Sequence, residues 1–182
     1  MNEGGQAGKQ VGKYRIIRTL GQGGEGSVYL AEDESLGRQV AVKRLWGREE
    51  PEEASFLRDL RHPMLPVVYE LLHEDGWYLV MEYIEGISLH NYIEKQGRVE
   101  EGQARLWAAA LLDVLDYLHT RETPVIYRDL KPDNIMVCRE GSLKLVDFGA
   151  AALRCFGEAG VGRMAYSSAR TPSPSSPRCS GA

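Results

Sequence analysis

Long apolar runs are missing from this chain. No stretch approaches the roughly 20 residues that a membrane-spanning helix needs, so no membrane segment is expected. Cysteine is scarce: Cys138, Cys155 and Cys179 stand far apart without metal-type spacing, and the four histidines (His62, His73, His90, His119) are equally scattered. A reduced, cytoplasmic protein without structural zinc fits that pattern best. The opening "MNEGGQAGKQVGK" lacks the apolar core of a secretory signal. An excess of positive charge is also lacking. The net charge of −4 argues against nucleic acid or an anionic membrane as the main partner.

What the chain does contain is a soluble globular composition and enough length, 182 residues, for one good-sized domain or one domain and part of another. Residues 1–12 are Gly/Gln/Lys-rich and read as a flexible leader. From Tyr14 onward, "YRIIRTL", "SVYLAED" and "RQVAVKRL" alternate like three antiparallel strands, with the glycine loop "GQGGEG" between the first two. Pro51 suits the first turn of a short helix, "PEEASFLRDL". "LPVVYELLHEDGWYLVMEYIEG" reads as a hairpin turning at Asp75-Gly76. Ser88 can cap a short helix, "LHNYIEK". A long helix is expected from about Glu100 to His119, with Leu106, Ala110, Leu111, Val114, Leu115 and Leu118 at helical spacing. A small hairpin turning at Glu140-Gly141 follows. The last twelve residues, "TPSPSSPRCSGA", are too poor in apolar groups to fold and are expected to be disordered.

Gly21, Gly23 and Gly26 form G-x-G-x-x-G, a weak signal alone. In a dinucleotide-binding unit that loop opens a helix. Here it opens a β-branched, alternating strand, which suits a flap over a triphosphate: glycines let backbone N–H groups approach phosphates where a Cβ would clash. An unliganded glycine-rich hairpin is the bland alternative. In "VAVK", Ala41 and Lys43 share one face of a neighbouring strand. A lysine on that inner face is costly unless anions meet it, and phosphates or Glu53 could do so.

The stretch "PVIYRDLKPDNIMV" crowds ionic groups between apolar segments. Phosphoryl transfer needs a carboxylate to orient the attacking hydroxyl, metal ligands, and cations against developing charge. Asp129 suits the first task. Asn134 and Asp147 offer hard oxygen ligands for Mg²⁺. Lys131 can stabilise the transferring phosphoryl group.

"YRDLKPDN", "DFG", "VAVK" and the glycine loop, in this arrangement, resemble a eukaryotic-type protein kinase of the serine/threonine kind, from about Tyr14 to Gly149. The resemblance implies an α+β, two-lobed fold with ATP and Mg²⁺ between the lobes and a protein serine or threonine as acceptor. It places an N-lobe at 13–86, with an antiparallel β-sheet and one helix, and an incomplete helical C-lobe at 87–166. A leader at 1–12 and a disordered tail at 167–182 flank them. By the same resemblance Gly21, Gly23 and Gly26 would cover the phosphates, and Lys43 would pair with Glu53 and touch the α/β-phosphates. Asp129 would be the catalytic base, Lys131 would contact the γ-phosphate, and Asn134 and Asp147 would hold Mg²⁺. Met81 would guard the back of the pocket, the backbone of Glu82 and Ile84 would bond adenine, and Val28 and Ala41 would form its ceiling. Leu57, Val68, Tyr127 and Phe148 look like an apolar spine joining the lobes, for which plain core packing is the alternative.

Three features depart from the family pattern. Tyr127 replaces its commonest histidine, and Glu25 places a carboxylate near the tip of the glycine loop. After "DFG", Gly162 and Tyr166 fit the family's anchor, whereas Arg163 and Ala169-Arg170 do not. The change of composition near residue 163 suggests a reading-frame shift or a truncated gene, with a short isoform as the alternative. Kinase activity impaired by loss of the C-lobe is therefore expected. A nucleotide-binding interaction module without transfer activity, or a non-functional fragment, stands as the second reading.

Overall fold

The strand Arg38–Leu45 shows how the fold makes a working face. In the computed structural model, which describes residues 7–23, 26–46, 57–155 and 163–164, its side chains alternate between two buried environments. Val40 and Val42 enter an outer apolar cluster with Tyr14, Ile16, Tyr29 and Tyr78. Ala41 and Lys43 point the other way, into a cleft.

Six strands form the antiparallel sheet: β1 (Gln10–Val11), β2 (Tyr14–Gly23), β3 (Gly26–Asp33), β4 (Arg38–Leu45), β5 (Val68–His73) and β6 (Trp77–Glu82). They lie in the order β1-β2-β3-β4-β6-β5. Asp75-Gly76 sits between β5 and β6 as the hairpin reading expected, with Gly76 at φ 159°. The sheet begins earlier than expected, however. Gln10 and Val11 pair with β2, and Val11 is buried, so this piece of the leader is folded. Its composition is polar, but one well-placed valine closes the outer cluster. The helix expected at 51–60 falls outside the described residues, apart from its last turn, where Leu57 and Leu60 are buried.

The chain then passes through β7 (Gly86–Ser88) into α1 (Leu89–Gln96) and α2 (Glu101–His119). Ser88 caps α1 by accepting the Asn91 N–H at 3.2 Å, and Glu100 caps α2 through the Gln103 N–H at 3.0 Å. Then come β8 (Val125–Ile126), a 3₁₀ turn at Pro132–Asn134, β9 (Ile135–Cys138), β10 (Leu143–Leu145), β11 (Ala152–Cys155) and β12 (Arg163–Met164). Gly141, at φ 84°, turns the β9–β10 hairpin.

The apolar stripe expected on α2 packs inward at Ala110, Leu111, Val114, Leu115 and Leu118, but not at Leu106. Leu106 is 66% exposed, and Trp107, Val114 and Leu118 are the buried residues, with Leu111 and Leu115 partly covered. Trp107 takes the first inward place instead: its Nε1–H donates to the Gly141 carbonyl at 2.9 Å, and its ring meets Tyr92 edge-on. No described helix is long and apolar enough to cross a membrane.

Candidate active site

A cleft of about 470 Å³ opens under the sheet, a size suited to a small organic ligand. Antiparallel register builds its roof. Gly21 pairs with Val28, Val28 with Lys43, and Ala41 with Met81, so these residues share the inner face. Val28, Ala41, Met81, Glu82 and Ile84 all line the cleft, as does Lys43. The floor includes Met136 of β9, Val146 and Asp147. Met136 is a cleft residue that no motif marks. Its alternation with buried Ile135 and Val137 was the available signal that it faces elsewhere.

Lys43 is 5% exposed and donates to Asp147 Oδ1 at 2.9 Å. Burial by itself would raise the Asp147 carboxyl. The Lys43 ammonium and its hydrogen bond outweigh that and hold it below the ordinary range. Glu53, the other expected partner of Lys43, lies outside the described residues, as does Glu25.

The three glycines separate into two kinds. Among the described residues, a Cβ on Gly21 or Gly23 would meet nothing within 4 Å, so no described packing requires glycine there. At Gly26 a Cβ would fall 2.0 Å from the Arg44 carbonyl, with φ at 150°. That glycine serves the strand crossing.

Asp129, Lys131 and Asn134 come together in the loop before β9. Lys131 Nζ donates to Asp129 Oδ2 at 2.7 Å, and Asn134 Nδ2 donates to Asp129 Oδ2 at 2.8 Å and to its main-chain oxygen at 3.0 Å. The Asp129 hydrogen bond raises the Lys131 pKa. Asn134 is buried, and its carbonyl accepts the Val146 N–H at 2.9 Å, which ties the loop to the residue before Asp147. Tyr127 and Phe148 are buried and meet edge to face at 5.0 Å, and the Tyr127 hydroxyl donates to the Val146 carbonyl. The tyrosine thus keeps both a ring contact and a polar anchor. Leu57 and Val68 belong to the same cluster.

Two features were not read from the sequence. Arg128 and Asp147 are the non-glycine residues with positive φ among those described, at 66° and 65°. Each such conformation costs about 1–3 kcal/mol and persists where surroundings over-determine it. At Arg128 the Asp129 N–H donates to the Tyr127 carbonyl at 2.9 Å, closing a three-residue turn that aims Asp129. At Asp147 the side chain accepts the Gly149 N–H at 3.4 Å.

This arrangement has known counterparts. The model of the protein kinase domain matches residues 14–167. The chain belongs to the protein kinase domain family. Serine/threonine-protein kinase PrkC of Bacillus subtilis is 36% identical over 79% of this chain and 24% of its own. CBL-interacting serine/threonine-protein kinase 8 of Arabidopsis thaliana is 36% identical over 80% of this chain and 34% of its own. The chain thus spans about a quarter to a third of the length of these relatives. The solved PpkA-294 apo form superposes with a TM-score of 0.71 at 23% identity, covering 81% of this chain and 62% of that one, which supports the kinase fold. The two-lobed α+β expectation holds for this kinase domain, with a curled antiparallel sheet in the N-lobe and two helices among the described residues.

Proposed function

We propose that this kinase domain binds Mg-ATP in the cleft and transfers the γ-phosphate to a serine or threonine hydroxyl of a protein. The observation that carries the reading is the joining of Lys43 to Asp147 at 2.9 Å beneath a roof that presents the open Gly21 and Gly23. In this reading Val28 and Ala41 cover the base, Met81 closes its back edge, and the main chain of Glu82 and Ile84 recognises it. Lys43 holds the α/β-phosphates, with Glu53 as its second partner.

The donor set fits a magnesium ion. Asn134 spends its Nδ2 on Asp129, which leaves Oδ1 for a cation, and Asp147 supplies a carboxylate. Among the described residues no three His, Cys, Asp or Glu side chains form a closed cage. Two protein oxygens completed by phosphate and water suit Mg²⁺. Bound Mg²⁺ neutralises charge on the phosphate oxygens. Asp129, oriented by Asn134 and the turn at Arg128, accepts the hydroxyl proton. Lys131 releases Asp129 to meet the γ-phosphate. A net charge of −4 keeps nucleic acid off the partners in this reading, and a reducing cytoplasm is its setting.

The test is Mg²⁺-dependent transfer of labelled phosphate to a protein substrate by wild type and Asp129→Ala. Loss of a general base lowers transfer by about 10²–10⁴-fold. Equal incorporation by both proteins refutes transfer through Asp129. Thermal stabilisation by Mg-ATP without transfer in wild type favours a nucleotide-binding module instead.

A further inference from the structure

A polar cluster lies behind the hinge, the stretch from Glu82 to Ile84 that leaves β6 and edges the cleft. Lys144, on β10, donates to Glu82 Oε2 at 3.0 Å, Glu82 Oε1 at 3.2 Å and the Leu65 carbonyl at 3.3 Å. Glu82 Oε2 also accepts the Val67 N–H at 3.1 Å, and the Glu82 N–H donates to the Val67 carbonyl at 2.8 Å. One residue along, the Leu145 N–H donates to the Met64 carbonyl at 2.7 Å. Three separate segments are bracketed: the end of β6, the connection at 64–67, and β10. The side chains are 17% exposed at Lys144 and 30% at Glu82.

We propose that Lys144 is a positioning residue for the nucleotide: through Glu82 it fixes the hinge main chain against the floor strand that leads to Asp147. The cleft needs such a device because its two base-recognising surfaces come from distant parts of the chain. Glu82 ends β6, whereas Val146 and Asp147 follow the end of β10, just beyond Lys144 and Leu145. A flat base between them requires a fixed gap, and no strand pairing joins β6 to β10, which lie in different sheets. The Lys144 ammonium reaches a carboxylate and a carbonyl together. It holds the gap by charge-assisted bonds of limited exposure, which outlast the screening that weakens surface pairs.

This inference rests on the cleft being a nucleotide site, so Mg-ATP affinity of the wild-type chain is measured first. Absence of binding overturns the site and the inference together. With wild-type binding established, Lys144→Met keeps the length and removes the charge, and affinity should fall about tenfold. Lys144→Arg, which can still bond Glu82, should recover affinity to within about threefold of wild type. Lys144→Met combined with Glu82→Gln should lose no more than the stronger single variant, since both cut one contact. Glu82→Gln alone keeps an oxygen for the Val67 N–H, and its expected loss of affinity is an independent check should Lys144→Met fold poorly. Melting temperatures without nucleotide report folding for each variant. Unchanged or tighter Mg-ATP binding by a folded Lys144→Met, no recovery by Lys144→Arg, or simply additive losses would each overturn the proposal while leaving the nucleotide site standing.

Discussion

The two ends of the cleft are held by different means. At the hinge end the protein satisfies itself: Glu82 bonds Val67 twice and Lys144 closes the bracket. At the other end a buried lysine faces a half-exposed carboxylate beneath two glycines with open space around them. A self-satisfied edge is rigid before any ligand arrives, which suits a flat base. An end whose charges balance but whose space stays open suits a charged group that enters and leaves. The same small cleft therefore combines a preformed surface with an adjustable one.

The largest effect that would break this contrast is at Asp147. Asp147→Asn should lower phosphate transfer by about 10²–10³-fold, through weaker metal holding and loss of the charge facing Lys43. Affinity for adenosine, which has no phosphate, should stay near wild type by calorimetry. A matching loss for adenosine would mean the two ends are not separable. Next in size, Lys43→Met should weaken Mg-ATP binding about tenfold and leave adenosine binding nearly unchanged.

Glycine substitutions sharpen the comparison on stability. A Cβ on Gly86 would fall 2.3 Å from the Val137 carbonyl, where β7 crosses β9. Gly86→Ala should destabilise the fold by about 1–3 kcal/mol in urea denaturation. Gly21→Ala meets no such obstacle and should change stability by less than about 1 kcal/mol while weakening Mg-ATP binding. Equal stability losses would contradict the division between a packed end and an open one.

The smallest effect concerns pH. Asp147 titrates below its ordinary value of 3.8 in the folded chain, chiefly through Lys43 acting against burial. The unfolded chain therefore takes up this proton first as the pH falls. The stabilisation is complete above 3.8 and is lost as the pH falls through the lower folded value. Lys43→Met should flatten that part of the stability curve by less than about 1 kcal/mol, because the carboxylate is half-exposed. An unchanged slope in acid denaturation would show that Lys43 does not hold the carboxyl down.

Much of this architecture was legible because local chemistry and global position agree. Asp75-Gly76 and Glu140-Gly141 turn hairpins where their dipeptides say so, and Ser88 caps the helix it precedes. Other residues were illegible for a shared reason. Val11 belongs to the core because β1 lies beside β2, not because its neighbours are apolar. Leu106 looked like a core residue by spacing, yet its neighbour Trp107 takes the inward position, its indole N–H bonded to the Gly141 carbonyl. The positive φ of Arg128 leaves no mark in composition. Lys144 reads as an ordinary polar residue in a hairpin until Glu82 arrives beside it.

By itself the sequence determined the family and marked Lys43, Asp129, Asn134 and Asp147 as candidates, because phosphoryl transfer permits few residue types and the spacing between them is chemical. The tertiary structure decided which partners those residues meet. Lys43 and Asp147 are 104 positions apart, and Glu82 and Lys144 are 62 apart. Neither pairing follows from periodicity or propensity, which act over a few residues. Each exists because the sheet, the 64–67 connection and the β9–β10 hairpin bury apolar faces against one another and so bring distant charges within hydrogen-bond reach.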